Sequence, residues 1–191
     1  GSLTYIHPSK KLVIDQAYFH INGTKLGNVC QDLAFGNDKV YIISQNGPRN
    51  GGEGLLTIAE AGSLKKVKVY NDATLAQKWP THIAVIRDHI YLRADYKATP
   101  TSPKGCIYRG TEDGGFTLIP ETEGVMKMRM AQIGERLFAL TSDSKVLMIQ
   151  GTQVVRELDL SPAKPTGIAV SHDGKLWVST TSPNAILKVD P

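Results

Sequence analysis

The sequence predicts an all-β fold, a β-propeller of four-stranded antiparallel blades, on three observations. A hairpin pattern recurs four times along 191 residues. The first three recurrences are each followed by two further strand-like runs. The alanines that align the repeats, Ala34, Ala84, Ala131 and Ala169, lie 50, 47 and 38 residues apart, which is the spacing of propeller blades.

Each repeat carries an apolar residue before the alanine, an acid four residues after it, and an aromatic seven or eight residues after it. The acids fall in the turn dipeptides Asn37-Asp38, Arg87-Asp88, Gly134-Glu135 and Asp173-Gly174. Asn, Asp and Gly accept the positive φ that two-residue hairpins require. The alanine suits a site where strands crowd, and the aromatic suits the space between sheets. The next two strands are read at 54–59 and 66–70, at 106–109 and 116–119, and at 145–149 and 154–158. A helical signal is nearly absent; its best candidate, 72–78, is a turn or two.

The ends read as incomplete blades. Residues 2–6 and 11–19 suit the last two strands of one, and the hairpin from Gly167 with 185–189 suits the first three of another. The expectation is a single propeller domain over 1–191, with three complete blades at 29–78, 79–124 and 125–163 and partial ones at 1–28 and 164–191. The two ends together supply five strands where a closing blade needs four. This favours part of a larger propeller over a small ring, with open blade edges available for self-association.

Hydrophobic residues are 41% and charged residues 21%, a globular balance. No apolar run approaches the ~18 residues of a membrane helix, and the start lacks the basic and apolar regions of a signal peptide. A net charge of +4 is spread along the chain, and its densest run, Lys65-Lys66-Val67-Lys68, reads as an edge-protecting strand face with Lys66 and Lys68 toward solvent. No nucleic-acid partner is expected. Cys30 and Cys106 have no metal-ligand spacing and read as small strand residues, with their pairing open.

Residues 1–47, with Ser2-Leu3-Thr4-Tyr5-Ile6, Asn22-Gly23-Thr24-Lys25-Leu26-Gly27 and Gln31-Asp32-Leu33-Ala34, resemble the opening of YncE-like, surface-layer-type propellers, exported lipoproteins of Bacteroides and its relatives. Pro165 to Val178 is similar to the repeat of YncE, NHL and lactonase-type propellers. The resemblance implies a non-catalytic, exported protein of the periplasm or outer-membrane surface. Its BtuG-type members bind cobalamin and pass it to a TonB-dependent outer-membrane transporter, so a corrinoid ligand and a transporter partner are implied by resemblance alone.

The chain has no GxSxG, HExxH or P-loop, and no cofactor or metal is expected. Among the histidines, His89 and His172 fall at hairpin turns and are expected in solvent, while His82 begins an inner strand. The second-to-third-strand loops are long in two repeats, Gln45 to Glu53 and Asp95 to Lys104, and short in the third, Ser142-Asp143-Ser144. Loops beyond hairpin length tend to carry function. The candidate binding residues are therefore Asn46, Arg49 and Tyr96 in these loops, with Trp79, His82, Lys127 and Arg129 near inner-strand starts. The expected ligand is a small molecule or glycan. The alternatives are a protein-interaction scaffold and a lactonase- or lyase-type enzyme, for which one acid, Asp32, among basic groups makes a poor metal cage.

Overall fold

The computed structural model describes residues 2–6, 14–18, 20–21, 24–25, 29–46, 53–63, 66–70, 79–99, 102–125 and 130–190. The chain divides into two compact units, Gly1–Pro80 and Thr81–Pro191. Regular structure in the described residues is β-strand apart from one 3-10 turn, η1, at Pro120–Thr122.

In the first unit β1 (Ser2–Ile6) pairs antiparallel with β2 (Ile14–Tyr18). β3 (His20–Ile21) pairs with β4 (Thr24–Lys25), a short ladder the sequence reading missed. Then β5 (Val29–Gly36), β6 (Lys39–Asn46), β7 (Glu53–Glu60) and β8 (Lys66–Tyr70) form one four-stranded antiparallel sheet in chain order. Its β5–β6 turn is tight because Asn37 and Asp38 both take left-handed φ, 51° and 55°. Val40, Ile42 and Ala59 make a buried cluster on one face, with Cys30 and Leu33 against it. Lys68 is half-buried rather than turned to solvent. The proposed helical stretch 72–78 lies outside the described residues.

The second sheet contains β9 (Trp79–Ile86), β10 (His89–Thr99), β11 (Ser102–Thr111) and β12 (Gly114–Ile119). The third contains β13 (Ala131–Ile133), β14 (Arg136–Leu140), β15 (Lys145–Gln150) and β16 (Gln153–Asp159). The last contains β17 (Pro165–Val170), β18 (Leu176–Thr181) and β19 (Asn184–Val189). All are antiparallel meanders, as a blade requires.

Within the second unit these sheets stack face to face. Side chains alternate sides along a strand, and β14 and β15 use both sides. Leu137, Ala139, Leu147 and Ile149 join Ala84, Ile86, Tyr91 and Ile107 of the preceding sheet in one core. Phe138, Leu140 and Val146 join Leu176, Val178 and Val189 of the following sheet in another. The repeat's alanine and aromatic are cross-strand partners, Ala34↔Tyr41, Ala131↔Phe138 and Ala169↔Trp177. In the second and third sheets both members face the next sheet.

Several local expectations are corrected. The Asp95 to Lys104 segment is not a loop: β10 and β11 stay paired through Tyr96↔Lys104 and Lys97↔Pro103 to Thr99↔Ser102. Pro100 holds the residue before it extended, and threonine favours strand, so the ladder continues. Likewise Asn46 and Glu53 close the β6–β7 ladder rather than belonging to the loop. In the Arg87-Asp88 turn the arginine takes left-handed φ, 53°. The fourth turn is no two-residue hairpin, since Val170 pairs with Leu176 and Gly174 supplies the left-handed residue. Its longer path is held by Ser171 Oγ, which accepts from Trp177 Nε1 at 3.0 Å and donates to the Lys175 carbonyl at 3.1 Å. His89 opens β10 half-buried, with its Nδ1 enclosed, because the turn ends one residue before it. His172 is exposed.

Leu147 is buried between two sheets, whereas Val155 on β16 is 47% exposed. Leu147→Ala is expected to lower stability by about 2–5 kcal/mol through lost contacts and a cavity. Val155→Ala is expected to change it by no more than about 0.5 kcal/mol. Equilibrium urea unfolding checks both, and equal effects would contradict a core between stacked sheets.

Candidate functional site

A meander brings the start of its first strand, the tip between its second and third strands, and the end of its fourth to one end of the sheet. At that end of the β9–β12 sheet, Arg93 on β10 is 3% exposed. Its Nη1 donates to Asp95 and, at 3.2 Å, to the hydroxyl of Thr81 on β9. Its Nη2 donates to the Val125 carbonyl at 3.0 Å. Burial pushes the Arg93 guanidinium below its ordinary pKa, and the Asp95 charge opposes that shift.

The surroundings are built for this contact. Asp95 lies two residues after Arg93, so both project from one face of β10. Gly105 pairs with Asp95. A Cβ at Gly105 would stand 2.0 Å from the Val125 carbonyl oxygen and 2.2 Å from Arg93 Nη2. Gly124 N–H donates to the Gly105 carbonyl at 2.8 Å, and Ser142 N–H donates to the Gly124 carbonyl at 3.0 Å. Val125 also bridges to Thr141. Below them the buried Thr122 hydroxyl accepts from Ile107 N–H at 2.8 Å and donates to the Ile119 carbonyl at 2.6 Å. The connection between two sheets is thus fastened to the tips of both.

Arg93 is consequently a clamp. Three of its five N–H donors are spent on protein partners, and its Nε is buried without a hydrogen bond. The arrangement fixes where the chain leaves Val125 toward 126–129. It also marks the base from which β10 and β11 project: these strands have 11 and 10 residues, against 5 and 6 for β14 and β15.

The neighbouring tip is short and charged. Thr141 N–H meets the Lys145 carbonyl and Lys145 N–H meets Thr141 Oγ1, each at 3.0 Å. Lys145 Nζ reaches Glu157 at 3.0 Å and Asp143 at 3.5 Å, and Glu157 raises its pKa. The Thr141 hydroxyl holds Asp143 below the ordinary carboxylate range, and Ser161 N–H, 2.8 Å from Oδ1, does the same for Asp159. Among the described residues no three His, Cys, Asp or Glu side chains gather as a metal site. A hollow lined by Phe138, Met148, Arg156 and Val189 admits only a water-sized guest. Cys30 and Cys106 are not joined in a disulfide.

The residues expected from sequence are placed as follows. Asn46 ends β6 opposite Glu53. Trp79 opens β9, and His82 sits half-buried three residues on. Tyr96 pairs with Lys104 in the projecting ladder. Arg49, Lys127 and Arg129 lie outside the described residues. The sequence reading missed Arg93, Asp95, Thr81 and Gly105 as a cluster. The available signal was an arginine inside the apolar run Ile90-Tyr91-Leu92-Arg93-Ala94, with an acid two residues later.

The family model described as "Domain of unknown function (DUF5074)" matches residues 1–191. No curated protein matched the sequence. Among solved structures, the β-propeller domain of the Trilobed protease from Pyrococcus furiosus, with an open velcro topology, superposes at TM-score 0.55 and 15% identity, covering 81% of this chain and 50% of that one. PorZ, a surface component of the type-IX secretion system of Porphyromonas gingivalis, gives TM-score 0.43 and 10% identity over 100% and 28% of the two chains. YCF48 bound to D1 peptide gives 0.46 and 12% over 100% and 68%. The first likeness supports the propeller fold, and this chain spans half the length of that domain.

Asp95→Ala leaves the buried guanidinium without its counter-charge and is expected to cost about 3–5 kcal/mol. Gly105→Ala is expected to destabilise as well, because the Val125 backbone must move. Thermal unfolding of both variants tests the clamp, and wild-type melting in both would refute it. The depressed pKa values of Asp143 and Asp159 stabilise the fold above the ordinary carboxylate range and cease to do so as pH falls through the depressed values. The drop in melting temperature on acidification is therefore expected to be smaller in Asp143→Asn/Asp159→Asn, and an unchanged drop would refute this origin.

Proposed function

The chain belongs to the DUF5074 family, and from that premise we propose that it is a non-catalytic binding protein that captures a small molecule or glycan at the loop-bearing end of its second-unit sheets. The observation that carries this reading is the unequal build of that end. The β10–β11 ladder extends to Thr99↔Ser102, while the adjacent β14–β15 tip turns within Thr141 to Lys145. Neighbouring tips of unequal height are the setting in which a recess forms, and recesses are where ligands lose water on several sides. The Arg93 clamp supports the reading by holding the inter-sheet connection at the foot of the wall. Preorganised supports of this kind reduce the entropy lost on binding.

Tyr96, His82, Lys127 and Arg129 are the ligand-contacting residues in this proposal. An aromatic ring together with imidazole and cationic donors suits a sugar or a ring-bearing nutrient such as a corrinoid. Export to the periplasm or outer-membrane surface, and delivery to an outer-membrane transporter, belong to the same proposal through the resemblance to YncE-like proteins.

The test is a thermal-shift screen of the chain against cobalamins and glycans. A ligand at about 100 times its Kd stabilises by about 2.7 kcal/mol, so a hit raises the melting temperature by several degrees. Tyr96→Ala and Arg129→Ala are expected to weaken a hit at least tenfold in calorimetric titration. The proposal falls if no ligand in either class shifts the melting temperature, or if both variants bind as wild type. Turnover of a lactone substrate that chelation abolishes would instead favour an enzyme.

A further inference from the structure

We draw no further inference here: the strongest candidate, the uncharged outer strand β12 of the second sheet, where Gly115, Thr117 and Leu118 are exposed, is an unpartnered sheet edge, and nothing in the structure shows what covers it.

Discussion

A sheet with apolar side chains on both faces has two surfaces to remove from water, and a neighbour on one side solves half of the problem. That constraint governs the second unit. In β14 and β15 consecutive residues belong to different cores, Leu137 to one and Phe138 to the next, Leu147 to one and Val146 to the other. A sandwich would leave one of these sets wet. Serial face-to-face stacking covers both, and the right-handed twist of each sheet turns such a stack into blades. The hydrophobic effect supplies the drive, while antiparallel meanders satisfy the backbone donors and acceptors inside each blade.

Stacking alone leaves the connection between blades to be held, and the chain holds it with a buried charge. Arg93 gives one arm to Asp95 and Thr81 in its own sheet and the other to the Val125 carbonyl on the way to the next. The glycine at 105 leaves the room that the guanidinium occupies. A buried ion pair is weak evidence for stability in general; here its geometric effect is to fix a particular crossing point. The same end of the sheet bears the projecting β10–β11 ladder, so the position of the candidate site follows from the clamp and the ladder together.

The tight turns were readable because they depend on neighbours in sequence. Asn37-Asp38 and Gly134 carry left-handed φ where the composition called for it. Arg87 takes the same conformation without the usual chemistry, because the strands on either side impose the turn. The β10–β11 extension was missed for the converse reason. Thr99, Pro100, Thr101 and Ser102 have the composition of a loop, yet cross-strand pairing outweighs composition once both flanks are in register. Arg93 and Asp95 carried a local signal, but Thr81, Gly105 and Val125 join them from positions that no local pattern links.

Period, alternation and turn residues in the chain were sufficient for the all-β class and the four-stranded unit, since each depends on φ/ψ preferences and on which face a side chain takes. They could not reveal which face meets which sheet, or that Arg93 would be buried against Val125. Those facts depend on contacts between residues far apart in sequence, and such contacts exist only after the sheets have stacked.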